Sequence, residues 1–171
     1  GRSPWAVKIS HATIVSRAGG AGAETGVNVG TAKRVPMAGL RALVEGLGGT
    51  DVRTLLGSGN VVFTHARTST RSLAARIREA LASHLRVDAP VIALDAVELD
   101  AIVAENPLAG SATALPRLLA AIPARPEHLT LLAPSTRESW GREKLAVGAH
   151  AAYLWCPDGV ATSRLWKAVN Q

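Results

Sequence analysis

From Gly26 to Thr64 the chain reads GVNVGTAKRVPMAGLRALVEGLGGTDVRTLLGSGNVVFT, and this stretch leaves few architectures open. Val27–Val29 is short and extended, and Gly30 ends it. Pro36 predicts a helix start, because a first-turn position loses nothing by lacking an N–H. Met37, Leu40, Leu43, Val44 and Leu47 then repeat at helical spacing and define a buried stripe. Gly48-Gly49 stops the helix. Asp51–Leu56 and Asn60–Thr64 read as two strands of a hairpin turning through Gly57-Ser58-Gly59-Asn60, with Val61 and Phe63 on one face. A strand, a helix and a hairpin in this order call for a sheet with a helix laid on it.

The downstream chain continues the alternation. Thr70 or Ser72 caps a helix whose apolar stripe is Leu73, Ile77, Leu81 and Leu85, with Arg71, Arg76, Arg78 and Arg86 off that stripe. Pro90–Leu94 is a strand. Asp95 with Glu98 resembles a capping box, opening a helix to about Glu105 that buries Leu99, Ile102 and Val103 and ends at Asn106-Pro107. Arg117–Ile122 is a strand, and Glu127–Ala133 fits a short helix or a strand equally. Lys144–Val147 and Ala151–Cys156 form a second hairpin across Gly148-Ala149-His150. Pro157-Asp158-Gly159 is a turn, and Thr162 or Ser163 caps a last helix through Val169. Strands that alternate with helices yet pair as hairpins predict an α+β fold, mostly antiparallel, with helices packed on the sheet.

Residues 1–25 differ in character. Val7–Ile9 and Ala12–Val15 are short strand candidates, followed by the Gly/Ala-rich linker composition of residues 18–23. Residues 18–25 are therefore expected to be irregular. Gly20 and Gly22 approach a dinucleotide fingerprint, but Thr25 occupies the third glycine position and no strand–turn–helix unit surrounds them.

Of the 171 residues, 47% are hydrophobic and 4% aromatic, so the core must rest on Leu, Val, Ile and Ala. The single cysteine, Cys156, excludes an internal disulfide. No apolar run is long enough to span a bilayer, and a soluble, cytoplasmic protein is expected. The net charge is +6, and it is uneven: residues 1–86 hold 12 Lys/Arg against 4 Asp/Glu, residues 87–171 hold 7 against 9. Such asymmetry can mark a surface for phosphates, nucleic acid or another acidic partner, or simply a solvated arginine-rich face.

Gly30 to Arg34 is the leading site candidate. A glycine turn before a helix can aim N–H groups at an anion, and Lys33 and Arg34 add full charges. The P-loop spacing is absent. Asn28, at the preceding strand, and Ser58, Gly59 and Asn60, at the hairpin turn, complete the candidate ligand-binding set; Asn28 and Asn60 are expected to lie close together across adjacent strands. Ser58 and Asn60 are also ordinary turn formers. Ser58 lacks the nucleophile-elbow pattern, because Leu56 stands at the first glycine position. His11, His65, His84, His128 and His150 are scattered without zinc-site spacing, so no metal and no cofactor are expected. Cys156 reads as a buried small hydrophobe, and Trp155 and Trp166 as packing residues. Asp95, Glu98, Asp100 and Glu105 make an acidic helix face. Paired carboxylates can perform acid–base work, though those near a helix start usually answer the helix dipole.

Val27-Asn28-Val29-Gly30, Arg34-Val35-Pro36-Met37 and Leu40, Asp51-Val52-Arg53-Thr54, and Ser58-Gly59-Asn60-Val61-Val62-Phe63 together resemble a bacterial family, domain-of-unknown-function family 1697. Asn106-Pro107, Leu145-Ala146-Val147-Gly148, Pro157-Asp158-Gly159 and Ser163-Arg164-Leu165 agree with it, so the resemblance runs over about residues 26–170. The chain departs from the pattern at Thr25-Gly26, where the family has Arg-Gly, and at Thr31, where it has a second glycine. The resemblance implies an α+β fold of ferredoxin-like β-α-β-β-α repeats and implies no activity. The expected organisation is a divergent segment 1–25 followed by an α+β domain 26–171, in halves of about 26–88 and 89–171. The leading functional expectation is a non-enzymatic binding protein whose basic N-terminal half takes a phosphate-bearing ligand or, weakly and without sequence preference, nucleic acid. The alternatives are an enzyme acting on a small phosphorylated substrate through Lys33, Arg34, Ser58 and Asn60, and a structural or oligomerisation module.

Overall fold

The computed structural model describes residues 3–9, 13–15, 35–55, 60–66, 69–89, 91–110, 117–123 and 126–169. The backbone forms two four-stranded sheets in which every neighbouring pair is antiparallel. The chain divides into two units, unit 1 holding Gly1–His11 and Asn28–Leu99, and unit 2 holding Ala12–Val27 and Asp100–Gln171. The N-terminal strands β1 (Ser3–Ile9) and β2 (Thr13–Val15) therefore serve different sheets. The strand expected over Val7–Ile9 is longer than the sequence suggested, beginning at Ser3.

Unit 1 continues with α1 (Met37–Gly46), β3 (Thr50–Leu55), β4 (Asn60–His65), α2 (Thr70–Ala80) and β5 (Val91–Asp95). Its sheet order is β3-β4-β1-β5, so β1 lies at the interior with β4 on one side and β5 on the other. Val61, Phe63 and His65 alternate with half-buried Asn60, Val62 and Thr64 along β4. That period of two turns Val61 and Phe63 into a core shared with Leu40 and Val44 of α1 and Leu73 and Ile77 of α2.

The ends of these helices explain their lengths. Pro36 occupies the cap position, one residue ahead of the first helical turn, and its carbonyl accepts from Leu40 N at 2.9 Å. At the other end Gly49 N donates to Val44 O and Gly48 N to Glu45 O, a Schellman closure that needs the positive φ of 96° at Gly48. The cap of α2 is Ser69, rather than Thr70 or Ser72: its Oγ accepts from Ser72 N at 3.1 Å. The α-helix also stops earlier than its apolar stripe implied. Leu81–Leu85 form a π turn that ends at Arg86 in the left-handed region. Ser83 Oγ donates to Glu79 O at 2.9 Å, and His84 Nδ1 lies 3.1 Å from Ala80 O, so side chains add contacts to carbonyls where the turn widens. In β3, Asp51 takes a φ of 54° and the register with β4 shifts between Thr50 and Arg53, a bulge that periodicity alone did not show.

The helix α3 (Ala96–Ala104) opens with the reciprocal cap expected from its sequence. Glu98 N donates to Asp95 Oδ1 at 2.8 Å, and Asp95 N donates to Glu98 Oε2 at 2.9 Å. Thr70 Oγ1 donates to Glu98 Oε1 at 3.4 Å, joining the starts of α2 and α3. Asn106 Oδ1 accepts from Leu108 N just beyond the end of the helix.

In unit 2, β6 (Leu118–Ile122), α4 (His128–Leu131), β7 (Lys144–Val147), β8 (Ala152–Trp155) and α5 (Arg164–Val169) complete the element order. The ambiguous stretch from Glu127 resolves as a short helix. The sheet order is β2-β6-β8-β7. All four residues of β8 are buried, so both faces of this strand are covered and no alternation marks it. Ala152 and Leu154 pack with Leu119, Leu129, Leu165 and Trp166. Tyr153 lies on the opposite face, where its hydroxyl reaches Ile102 O at 2.6 Å. Ser163 caps α5, its Oγ accepting from Trp166 N at 2.8 Å, and Glu143 Oε2 accepts from Leu165 N at 2.9 Å. Cys156 is fully buried and its thiol donates to Ser163 Oγ.

Candidate functional site

Of the candidate ligand-binding residues, Asn28, Gly30, Lys33, Arg34, Ser58 and Gly59 lie outside the described residues, and so does the expected irregular stretch 18–25. Asn60 opens β4, half-buried, opposite Leu55 of β3 and Lys8 of β1. The juxtaposition of Asn28 with Asn60 therefore lies outside the described residues as well.

The arginines of unit 1 whose side chains are described fall into two groups. Arg41 pairs with Glu45 at 2.9 Å and Arg78 with Asp88 at 3.1 Å, both in the open. Arg53, Arg71, Arg76 and Arg86 are exposed and make no ion pair among the described residues. Arg76 does reach a carbonyl, Leu47 O, at 3.5 Å. That same carbonyl lies 3.1 Å from Nε2 of buried His65, whose Nδ1 lies 2.7 Å from Ala66 O. His65 is thus accounted for as a tie between the end of α1 and β4. Among the described residues no group of three or more His, Cys, Asp and Glu side chains could hold a metal ion. No helix there is long and apolar enough to cross a membrane.

Among the described residues, the densest polar cluster lies in unit 2, where the sequence reading had not gathered it. Glu105 follows the last turn of α3, and four donors converge on its carboxylate. Tyr153 Oη donates to Oε1 at 2.7 Å and His150 N to Oε1 at 3.0 Å. Ala149 N donates to Oε2 at 3.2 Å, and His150 Nδ1 lies 3.1 Å from Oε2. Gly148 shapes the approach: a Cβ there would fall 2.8 Å from Glu105 Oε1 and 3.0 Å from the Tyr153 ring. Only glycine leaves room for the carboxylate against the turn.

These contacts bias protonation. Burial pushes the Glu105 carboxyl up, but the hydrogen bond from Tyr153, the backbone and ring of His150, and Ala149 N outweigh it, and the net direction is down. Burial pushes the Tyr153 hydroxyl well above its usual range, with the hydrogen bond to Glu105 and its negative charge adding to the rise. Tyr153 is consequently a fixed neutral donor. In the sequence, Glu105 stood among the acidic residues of a helix and His150 among scattered histidines. The available signal was Tyr153, the only tyrosine, in an apolar strand, because a buried hydroxyl needs a partner.

Two antiparallel sheets with helices against them, and a carboxylate-centred turn in the second, make this an α+β protein. The chain belongs to the family described as protein of unknown function (DUF1697), whose model matches residues 25–153. Its fold is similar to the solved structure of the conserved bacterial protein SP0830 from Streptococcus pneumoniae, at a TM-score of 0.70 and 19% identity, over 98% of this chain and 85% of that one. No curated protein matches the chain.

Proposed function

We propose that the chain is a soluble, cytoplasmic, non-enzymatic binding protein of two ferredoxin-like units, and that unit 1 takes a phosphate-bearing polyanion. The architectural part rests on strand order. In unit 1 the succession β1-α1-β3-β4-α2-β5 gives the spatial order β5-β1-β4-β3, with the fourth strand beside the first and the third beside the first on its other side. Unit 2 repeats that order when β2 is taken as the fourth strand after β6-α4-β7-β8-α5, although β2 comes first in the chain.

The functional part is carried by one observation: unit 1 holds 11 Lys/Arg against 6 Asp/Glu, while unit 2 holds 8 against 7. Arg53 on β3 and Arg71 on α2 are exposed and without an acidic partner among the described residues, and sit on separate elements. Charge spread in this way attracts phosphates without reading a sequence. Asn28, Gly30, Lys33, Arg34, Ser58, Gly59 and Asn60 are the proposed site at closer range.

Fluorescence anisotropy with labelled single- and double-stranded nucleic acids tests the reading. Binding with a dissociation constant of roughly 10⁻⁴ to 10⁻⁶ M at physiological salt is expected, weakening steeply as salt rises. For every phosphate that Lys33→Ala with Arg34→Ala, or Arg53→Ala with Arg71→Ala, leaves without its cation, the log–log salt slope should flatten by about 0.9 on duplex DNA and about 0.7 on single strands. Absence of binding at low salt would remove the polyanion reading. Binding unchanged in both double variants would remove these residues from it.

A further inference from the structure

The arrangement around Glu105 is that of an anion receptor with its anion in place. Two successive backbone N–H groups, Ala149 and His150, the His150 ring and the Tyr153 hydroxyl all address one carboxylate, within 2.7 to 3.2 Å. Successive N–H groups of a turn form a concavity that suits an anion whatever chain supplies it. Tyr153 is fully buried, so its hydroxyl cannot turn to water for a partner. Gly148 keeps the floor of the concavity open, since a side chain there would collide with the carboxylate. The occupant is tethered to the end of α3, and the Glu105 side chain remains 22% exposed.

We propose that the turn between β7 and β8 is a carboxylate receptor that Glu105 fills from within the chain, so that the site is closed by an internal ligand and open to a free carboxylate when Glu105 is withdrawn. Two oxygens on one carbon match the donor geometry: Oε1 takes Tyr153 and His150 N, Oε2 takes Ala149 N and the His150 ring. A spherical anion such as chloride presents one centre in place of two oxygens and fits the two donor pairs less closely. The receptor belongs to unit 2 and is independent of the basic surface of unit 1.

Chemical rescue decides the matter. Glu105→Ala removes the internal carboxylate, and formate supplies one without a tether. The variant is denatured thermally in formate and in chloride at equal ionic strength, followed by tryptophan fluorescence. If formate binds with a dissociation constant of about 10 mM, 100 mM formate raises the folded-to-unfolded ratio about tenfold. The parent protein, its receptor occupied, should respond equally to the two salts. Glu105→Ala with Tyr153→Phe, one donor short, should lose most of the formate effect. Equal responses of Glu105→Ala to formate and chloride overturn the proposal, as does a formate effect of the same size in the parent. Should Glu105→Ala fail to fold in plain buffer, refolding in formate but not in chloride supports the receptor, and failure in both counts against it.

Discussion

Tyr153→Phe removes one oxygen from a fully buried ring and changes nothing else in the packing of β8. The hydroxyl lies 2.6 Å from Ile102 O and 2.7 Å from Glu105 Oε1, and its single hydrogen serves both. A hydrogen bond to a charged partner contributes about 1.5–3 kcal/mol, and a buried acceptor left empty costs about 1–3 kcal/mol. These overlap here, because one hydroxyl supplies both, and Glu105 regains some hydration through its exposed edge. A loss of about 2 kcal/mol near neutral pH follows, equivalent to about 4–8 °C in the midpoint of a chain this size. The pH dependence gives the sharper check. Glu105 is held below its ordinary value of 4.5, so the stability its ionised form contributes is complete above that value and disappears as pH falls through the lower, folded-state value. Phenylalanine removes a cause of that depression. The parent and variant should therefore draw together in acid and separate toward neutrality. Urea denaturation followed by tryptophan fluorescence reports mainly on unit 2, which holds Trp140, Trp155 and Trp166. A difference of the same size at both ends of the pH range would refute the role of the Glu105 carboxylate and leave only the orphaned Ile102 carbonyl.

Two glycines at the end of α1 should respond with opposite sign to the same change, read by thermal denaturation. Gly48→Ala, at a φ of 96°, should cost about 1–2 kcal/mol through backbone conformation alone, since the new Cβ meets nothing nearer than His65 Nε2 at 3.6 Å. Gly46→Ala, in the helix with open space around it, should gain about 0.4–1 kcal/mol. Cys156 should resist iodoacetamide in the native protein and react once urea unfolds it: burial pushes the thiol up, the Ser163 hydrogen bond only partly opposes this, and the Glu143 charge adds to the rise. A chain beginning at residue 26 should fail to give the dispersed amide spectrum of the parent, because it lacks β1 and β2.

Elements whose signals are local were legible. The Asp95/Glu98 cap, the Gly48-Gly49 stop and the stripe of α1 each depend on residues within a few positions of one another, and the structure bears them out. Departures began where two local solutions compete. Leu73, Ile77, Leu81 and Leu85 suit a continuous helix, yet the ladder widens after Ala80, where Ser83 and His84 also contact the Glu79 and Ala80 carbonyls. Ser69, Thr70 and Ser72 are all competent caps, and the extended backbone of Ser69 itself places its hydroxyl on Ser72 N. The Glu105 cluster was harder still: its donors lie 44 to 48 residues from the carboxylate, beyond any periodic pattern.

The N-terminal strands mark the furthest limit of local reading, and they explain why residues 1–25 looked foreign to the rest. Nothing in SPWAVKI announces an interior strand, because its partners are β4 and β5, some fifty to ninety residues later. Yet removing β1 would leave the β3–β4 hairpin and a lone β5 on either side of a gap. The backbone groups of β4 and β5 that face β1 would lose their partners, and an unpaired buried N–H or carbonyl costs about as much as a lost hydrogen bond. β2 stands in the same relation to β6, pairing Ile14 with Ala121 across more than a hundred residues. The two strands are separated by only three residues, Ser10 to Ala12, and yet belong to different sheets. Neither unit is therefore a continuous piece of sequence, and closing each sheet requires the first fifteen residues to meet strands made much later. Such long-range pairing is entropically expensive and forms late. Hydrogen-exchange labelling during refolding should accordingly protect the β3–β4 hairpin before β1, and simultaneous protection of all four strands of that sheet would contradict this order.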